Sequence, residues 1–134
     1  MLSRYNQDEM GKLALRLTVG ILLLFHGYAK LMNPGSLEWI AGSLGAYGLP
    51  GALAYGVYVG EVLAPLMIII GYRARLGGWL VFINMSFALA LAHSAELLTL
   101  SEHGGWALEL QGLYLVGGLV IALIGSGNFA VKPD

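Results

Sequence analysis

The apolar residues of this 134-residue chain neither alternate as in a half-buried strand nor recur as one stripe of a surface helix; they run together in four long stretches. These cover residues 13–32, with an uncharged segment over 17–25 at the centre, then 53–71, 76–98 and 106–124. Each is close to the ~20 helical residues that cross a hydrocarbon core. Backbone groups facing lipid must be hydrogen-bonded within their own segment, so the stretches predict helices. The expected fold is all-α, an integral membrane four-helix bundle forming a single domain over residues 1–134.

The connections differ in kind. After Asn33-Pro34-Gly35, residues 36–48 carry Leu37, Trp39, Ile40, Leu44 and Tyr47, which predict a short interfacial helix between helices one and two. Leu49-Pro50-Gly51 marks the start of helix two. Tyr72-Arg73-Ala74-Arg75 is a tight connection that makes helices two and three antiparallel neighbours, and the loop over 99–105 holds Glu102, His103 and a Gly-Gly pair. No small-residue cleavage pattern follows the first stretch, so it reads as a retained helix and not a signal peptide.

Composition sharpens this reading. The chain is 57% hydrophobic and 11% charged, with a mean hydropathy of +0.73, whereas soluble domains carry about 25% charged residues. A small domain exposes much of its surface, so the apolar residues cannot all be hidden in a core. A surface facing lipid remains. The net charge of −1 supplies no basic stripe for phosphates, which argues against nucleic acid as a partner. Without cysteine, the chain carries no disulfide, thiolate metal site or thiol redox chemistry of its own. An even number of spans puts Arg4, Lys12, Arg16, Arg73, Arg75 and Lys132 on one side and Lys30 alone on the other. The positive-inside rule then places both termini of this multi-pass membrane protein in the cytoplasm.

Ionisable side chains within membrane helices cost several kcal/mol unless they face a protein interior or water, so they mark where function is to be sought. His26 and Lys30 are four apart and share a face of helix one. Glu61 lies midway along helix two, His93 and Glu96 are three apart late in helix three, and Glu109 begins helix four. Glu61 is expected either to find a cation or to stay protonated. It is read as a ligand or proton site or, more plainly, as an interhelical pair with Lys30 or a histidine. Taken singly, His26 and His93 read as neutral histidines bonded to a neighbouring helix; several such groups at one depth suggest a site. No ligand spacing such as HExxH is present, so no metal is assigned. Lys30, Glu96 and Arg16 read as snorkelling side chains, and Asn84, out of phase with His93, as interhelical glue.

Gly56 and Gly60 form a small-xxx-small step expected to bring another helix close beside Glu61; Gly20 and Gly27 repeat at seven residues, and Gly117-Gly118 are expected to break up helix four. Trp39, Tyr47, Tyr55, Tyr58 and Trp106 form either an aromatic belt or a slot for a flat ring.

The ordered set Leu15-Arg16-Leu17, Gly20, Phe25-His26-Gly27-Tyr28-Ala29-Lys30-Leu31, Gly48-Leu49-Pro50, Glu61, Gly71-Tyr72-Arg73-Ala74-Arg75, His93, Gly105-Trp106 with Glu109, and Gly125-Ser126-Gly127 resembles the DoxX family. The chain departs from it at Val62-Leu63-Ala64-Pro65, where a Gly-Gly pair is frequent, and in a tail without Ser-Leu-Asp. DoxX-like and DoxD-like proteins are similar to a subunit of thiosulfate:quinone oxidoreductase, and others belong to membrane complexes of oxidative-stress and thiol homeostasis. The resemblance therefore implies a redox-associated subunit that binds a quinone or small anion in the outer half of the bundle. Lys30, Glu96, Glu109 and Tyr58 would line the ligand, with His26 helping Lys30 to hold it. Glu61, His93 and His26 would form the catalytic set. Electron transfer would need a bound quinone or a partner protein. The partners expected are the lipid bilayer and either a membrane, periplasmic or cytoplasmic redox protein or a second copy in a homo-oligomer. The alternative is a non-catalytic assembly, maturation or partner-binding membrane protein with a structural polar cluster.

Overall fold

The computed structural model describes residues 4–92, 99–100, 102, 104–105 and 107–134. Among these the chain is helical and has no strand, and an isolated bridge joins Tyr72 and Lys132. Helix α1 spans Arg4–Leu31, beginning well before the apolar stretch because no proline interrupts the polar residues ahead of it. It stops because Asn33 precedes a proline and takes an extended backbone, φ −129° and ψ 85°. Pro34 then opens α2, Pro34–Ala46, where its missing N–H would have been unpaired in any case. Gly48, at φ +76°, turns the chain out of α2.

The next rod, α3 (Gly51–Ile70), changes pitch along its length. It begins as a 3₁₀ helix over Gly51–Tyr55, and a π turn occupies Val59–Leu63 within otherwise α-helical chain. Pro65 accounts for the π turn. It has no N–H for the Glu61 carbonyl four residues back, and its ring would crowd that oxygen in a regular helix. The turn widens instead, and Ala64 N–H reaches five residues back to the Val59 carbonyl. Gly71, left-handed at φ +76°, ends α3, and α4 (Ala74–Ala92) follows at once. Helix α5 spans Glu109–Ile124 and ends at Gly125, φ +82°.

Helical segments over Asn6–Leu31 and Gly51–Ile70 are long and apolar enough to cross a membrane; Ala74–Ala90 and Glu109–Ile124 are apolar but shorter. Large apolar side chains lie exposed on the outward faces, among them Phe25, Leu63 and Leu113.

The core gathers Val19 and Leu23 of α1, Ala64 and Ile68 of α3, Val81 and Met85 of α4, and Tyr114 and Ile121 of α5. Glycines set how closely the helices approach. Any Cβ at Gly27 would overlap the backbone carbonyl of Glu61, and one at Gly60 would overlap the Asn84 side chain. Two expectations are corrected here. Gly56 has open space beside it, so only the Gly60 half of the small-xxx-small step meets another helix. Gly117-Gly118 do not interrupt α5: they face Val19 and Val81, and their helical hydrogen bonds continue because the neighbouring helices hold the backbone in place.

Arg16 gives a third correction. It does not snorkel; it is 1% exposed and donates to the carbonyls of Ile68 at 2.9 Å, Ile69 at 3.1 Å, Ser126 at 3.0 Å and Phe129 at 2.7 Å. The left-handed Gly71 turn leaves carbonyls open at the end of α3, and the tail folds over them, so protein acceptors replace water. Val131 and Lys132 donate to Ile70 and Gly71, at 3.0 and 3.1 Å. Arg75 donates to Leu123 O and to Asp134 O, each at 2.7 Å, tying the end of α5 to the tail.

Candidate functional site

Glu61 stands in the π turn with 2% of its surface exposed. Helix α1 approaches at Gly27, and one turn further along it Lys30 forms an ion pair with Glu61 Oε1. From α4, Asn84 Nδ2 donates to Glu61 Oε2 at 3.1 Å, in the room left by the absent side chain of Gly60. A buried carboxylate is tolerated when its charge is paired and its lone pairs are bonded, and Glu61 has both. Of the partners expected for it, Lys30 is in contact, and His93 lies outside the described residues. Asn84 was read from sequence as generic glue. The signal that could have found it is depth: it lies opposite Gly60-Glu61 on the antiparallel neighbour.

The triad forms part of the wall of a cavity of about 480 Å³ between α2, the first half of α3 and α4. Trp39, Ile40 and Leu44 close it from α2, Val57 from α3, and Leu80, Ile83 and Phe87 from α4. The lining is mainly apolar, with Lys30, Glu61 and Asn84 as its polar patch, aided by Ser36 and Ser43. That size and that ratio of apolar to polar walls suit a small-molecule site. A second cavity of about 80 Å³ is lined by Leu23, His26, Met85, Gln111 and Tyr114, and again by Lys30 and Glu61. The ion pair is thus common to both.

The other sequence-selected residues are dispersed. His26 lines the smaller cavity only, its ring edge-on to Tyr114 at 5.6 Å. Glu109 folds toward Gly105, where a Cβ would meet its Oε2 at 2.7 Å, and lines neither cavity. Tyr58 packs edge-on to Tyr55 at 6.3 Å and also lines neither. His93 and Glu96 lie outside the described residues, as does Trp106. Among the described residues no group of three or more His, Cys, Asp or Glu could hold a metal. Gln111 escaped the sequence reading because a neutral amide near the start of an apolar helix carries no charge to notice.

Residues 11–94, which include Lys30, Glu61 and Asn84, match the DoxX family model. The chain belongs to the DoxX family. A protein of Bacillus subtilis (strain 168) named "Putative oxidoreductase CatD" is 29% identical over 126 residues, 93% of this chain and 87% of that protein. No solved structure matches this DoxX protein. Gln111 and Tyr114 fall beyond the matched segment, so the walls of the smaller cavity come partly from outside it.

Proposed function

We propose that this DoxX protein is a multi-pass inner-membrane protein that binds a quinone-class ring in the larger cavity and acts as a redox-associated subunit. The spans are α1, α3, α4 and α5, with α2 at the outer interface. Exposed Phe25, Leu63 and Leu113 are stable against lipid and costly against water. Both termini and the Arg73–Arg75 turn face the cytoplasm, by the excess of basic residues there.

The observation that carries the ligand reading is a paired lysine and carboxylate, with Asn84, in the wall of a mainly apolar cavity of about 480 Å³. The apolar walls fit a ring and its tail; the polar patch fits a ring oxygen. A small anion fits less well, because Glu61 already neutralises Lys30 and repels a second negative charge. A bound quinone would supply the two-electron chemistry that a cysteine-free chain lacks, the electrons coming from a partner redox protein. Lys30, with its side chain 31% exposed, would donate an N–H to an oxygen of a bound ring, and Glu61 would exchange a proton there while Asn84 donates to its second carboxyl oxygen. The word "oxidoreductase" in the relative's name agrees with this reading.

A second reading rests on the same triad. Both Glu61 oxygens are already bonded, as they would be in a polar pin that only fixes α1 and α4 to α3 in a non-catalytic assembly or partner-binding protein. Binding of decylubiquinone to the purified protein in nanodiscs, read by tryptophan fluorescence, separates the two. Lys30→Gln, which keeps an N–H donor for Glu61, should weaken binding at least tenfold with the helical circular dichroism unchanged. No saturable binding to the wild type, together with a stably copurifying partner protein, favours the pin.

A further inference from the structure

The oxygen Oε1 of Gln111 is buried and has no hydrogen-bond partner among the described residues. Buried carbonyl oxygens of this kind are nearly always bonded, to protein or to ordered water. Gln111 lines the smaller cavity, whose volume of about 80 Å³ exceeds what one water needs. Its walls also carry polar groups from three helices: His26 and Lys30 of α1, Glu61 of α3 and Tyr114 of α5. A dry void is expected where the lining is apolar throughout; here the orphaned oxygen and the surrounding donors meet the two conditions for a retained water, room and partners.

We infer that the smaller cavity is a resident-water site, with Gln111 as the positioning residue that holds a water against Glu61 on the side away from the larger cavity. This rests on the proposed function only for its use, since a carboxyl that exchanges protons with a ligand in a mainly apolar cavity must be resupplied from elsewhere. A water behind Glu61 relays those protons without passing the ligand, taking one from the exposed His26 ring on the same lining as it gives one to the carboxylate, and the reverse. The same water gives the Gln111 oxygen its missing donor.

Radiolytic hydroxyl-radical footprinting of the protein in nanodiscs tests the site directly, because radicals formed from a bound water label the side chains beside it. Met85 and Tyr114 line the cavity yet are only 4% and 7% exposed, while Met67, 9% exposed, lines neither cavity. Met85 and Tyr114 should label several-fold faster than Met67. Gln111→Leu should remove that excess, and Gln111→Asn, which keeps the amide, should preserve it. Equal and slow labelling of Met85 and Met67 in the wild type overturns the proposal, whether or not any variant folds. Decylubiquinone binding measured on the same samples keeps the two ideas apart. Fast labelling without quinone binding sinks the ligand reading and leaves the water site; binding with slow labelling does the reverse.

Discussion

Glu61 owes its chemistry to three residues that are far from it in sequence. Lys30 supplies the charge, Asn84 the second hydrogen bond, and Gly27 the room for α1 to come close enough. Removing the carboxylate leaves a half-buried ammonium and an amide donor facing an apolar group. Glu61→Leu should therefore destabilise the protein by about 1–3 kcal/mol, the partial exposure of Lys30 keeping the loss below that of a fully buried pair. Glu61→Gln retains an oxygen for Lys30 and for Asn84 and should cost less, while it loses proton exchange. Thermal unfolding in detergent measures the difference. A Glu61→Leu protein as stable as the wild type would mean that the side chain is not held as described.

The glycines act on whole helices and do so unequally. A methyl at Gly27 would meet the Glu61 backbone, which cannot move without unwinding the π turn. At Gly60 it would meet Asn84 at its Cβ, 2.3 Å away, which no rotamer change can move, so α3 and α4 would have to part and loosen the bond to Glu61. Gly56, one turn earlier on the same rod, has nothing within 4 Å. Gly27→Ala and Gly60→Ala should each lower stability by about 1–3 kcal/mol through overpacking. Gly56→Ala should be neutral or stabilising by up to about 1 kcal/mol, since alanine favours helix over glycine. The three melting temperatures test this together, and a Gly56→Ala loss as large as that of Gly60→Ala would refute the packing. Pro65 belongs at this scale as well. By denying the Glu61 carbonyl its regular donor, it places the wide turn where the carboxylate needs to be aimed between helices.

At the scale of the whole molecule, the two ends of the helices are built differently. One end is closed by the tail over 125–134, with Arg16 and Arg75 bonded to the carbonyls where α3 and α5 stop. The other holds the larger cavity under α2. This polarity agrees with the proposed orientation, the closed and basic end facing the cytoplasm. The chain has no cysteine of its own, so single cysteines report its sidedness cleanly. Glu38→Cys on α2 should react with an impermeant thiol reagent added to intact cells, and Lys132→Cys only after the membrane is opened. The opposite pattern would invert the topology.

Helix existence and order were legible in the sequence because they depend on neighbours along the chain. Unbroken apolar runs, Pro34 and Pro50 at helix starts, and glycines at turns act within a few residues of where they stand. So was the pairing of Glu61 with Lys30, one of the partners the sequence offered, since a charge deep in an apolar run must be answered by something. What else meets it was not legible. A helix turns about 100° per residue, so a small error in register carries a side chain to another face. Register and rotation are set by packing between helices, through contacts such as Gly27 on Glu61 and Gly60 on Asn84. For that reason only the tertiary structure could take Arg16 from the surface to the carbonyls of the tail. It also brought Asn84 onto the carboxylate, parted His26 from the larger cavity, and buried one oxygen of Gln111, a residue that lines the same smaller cavity as Glu61.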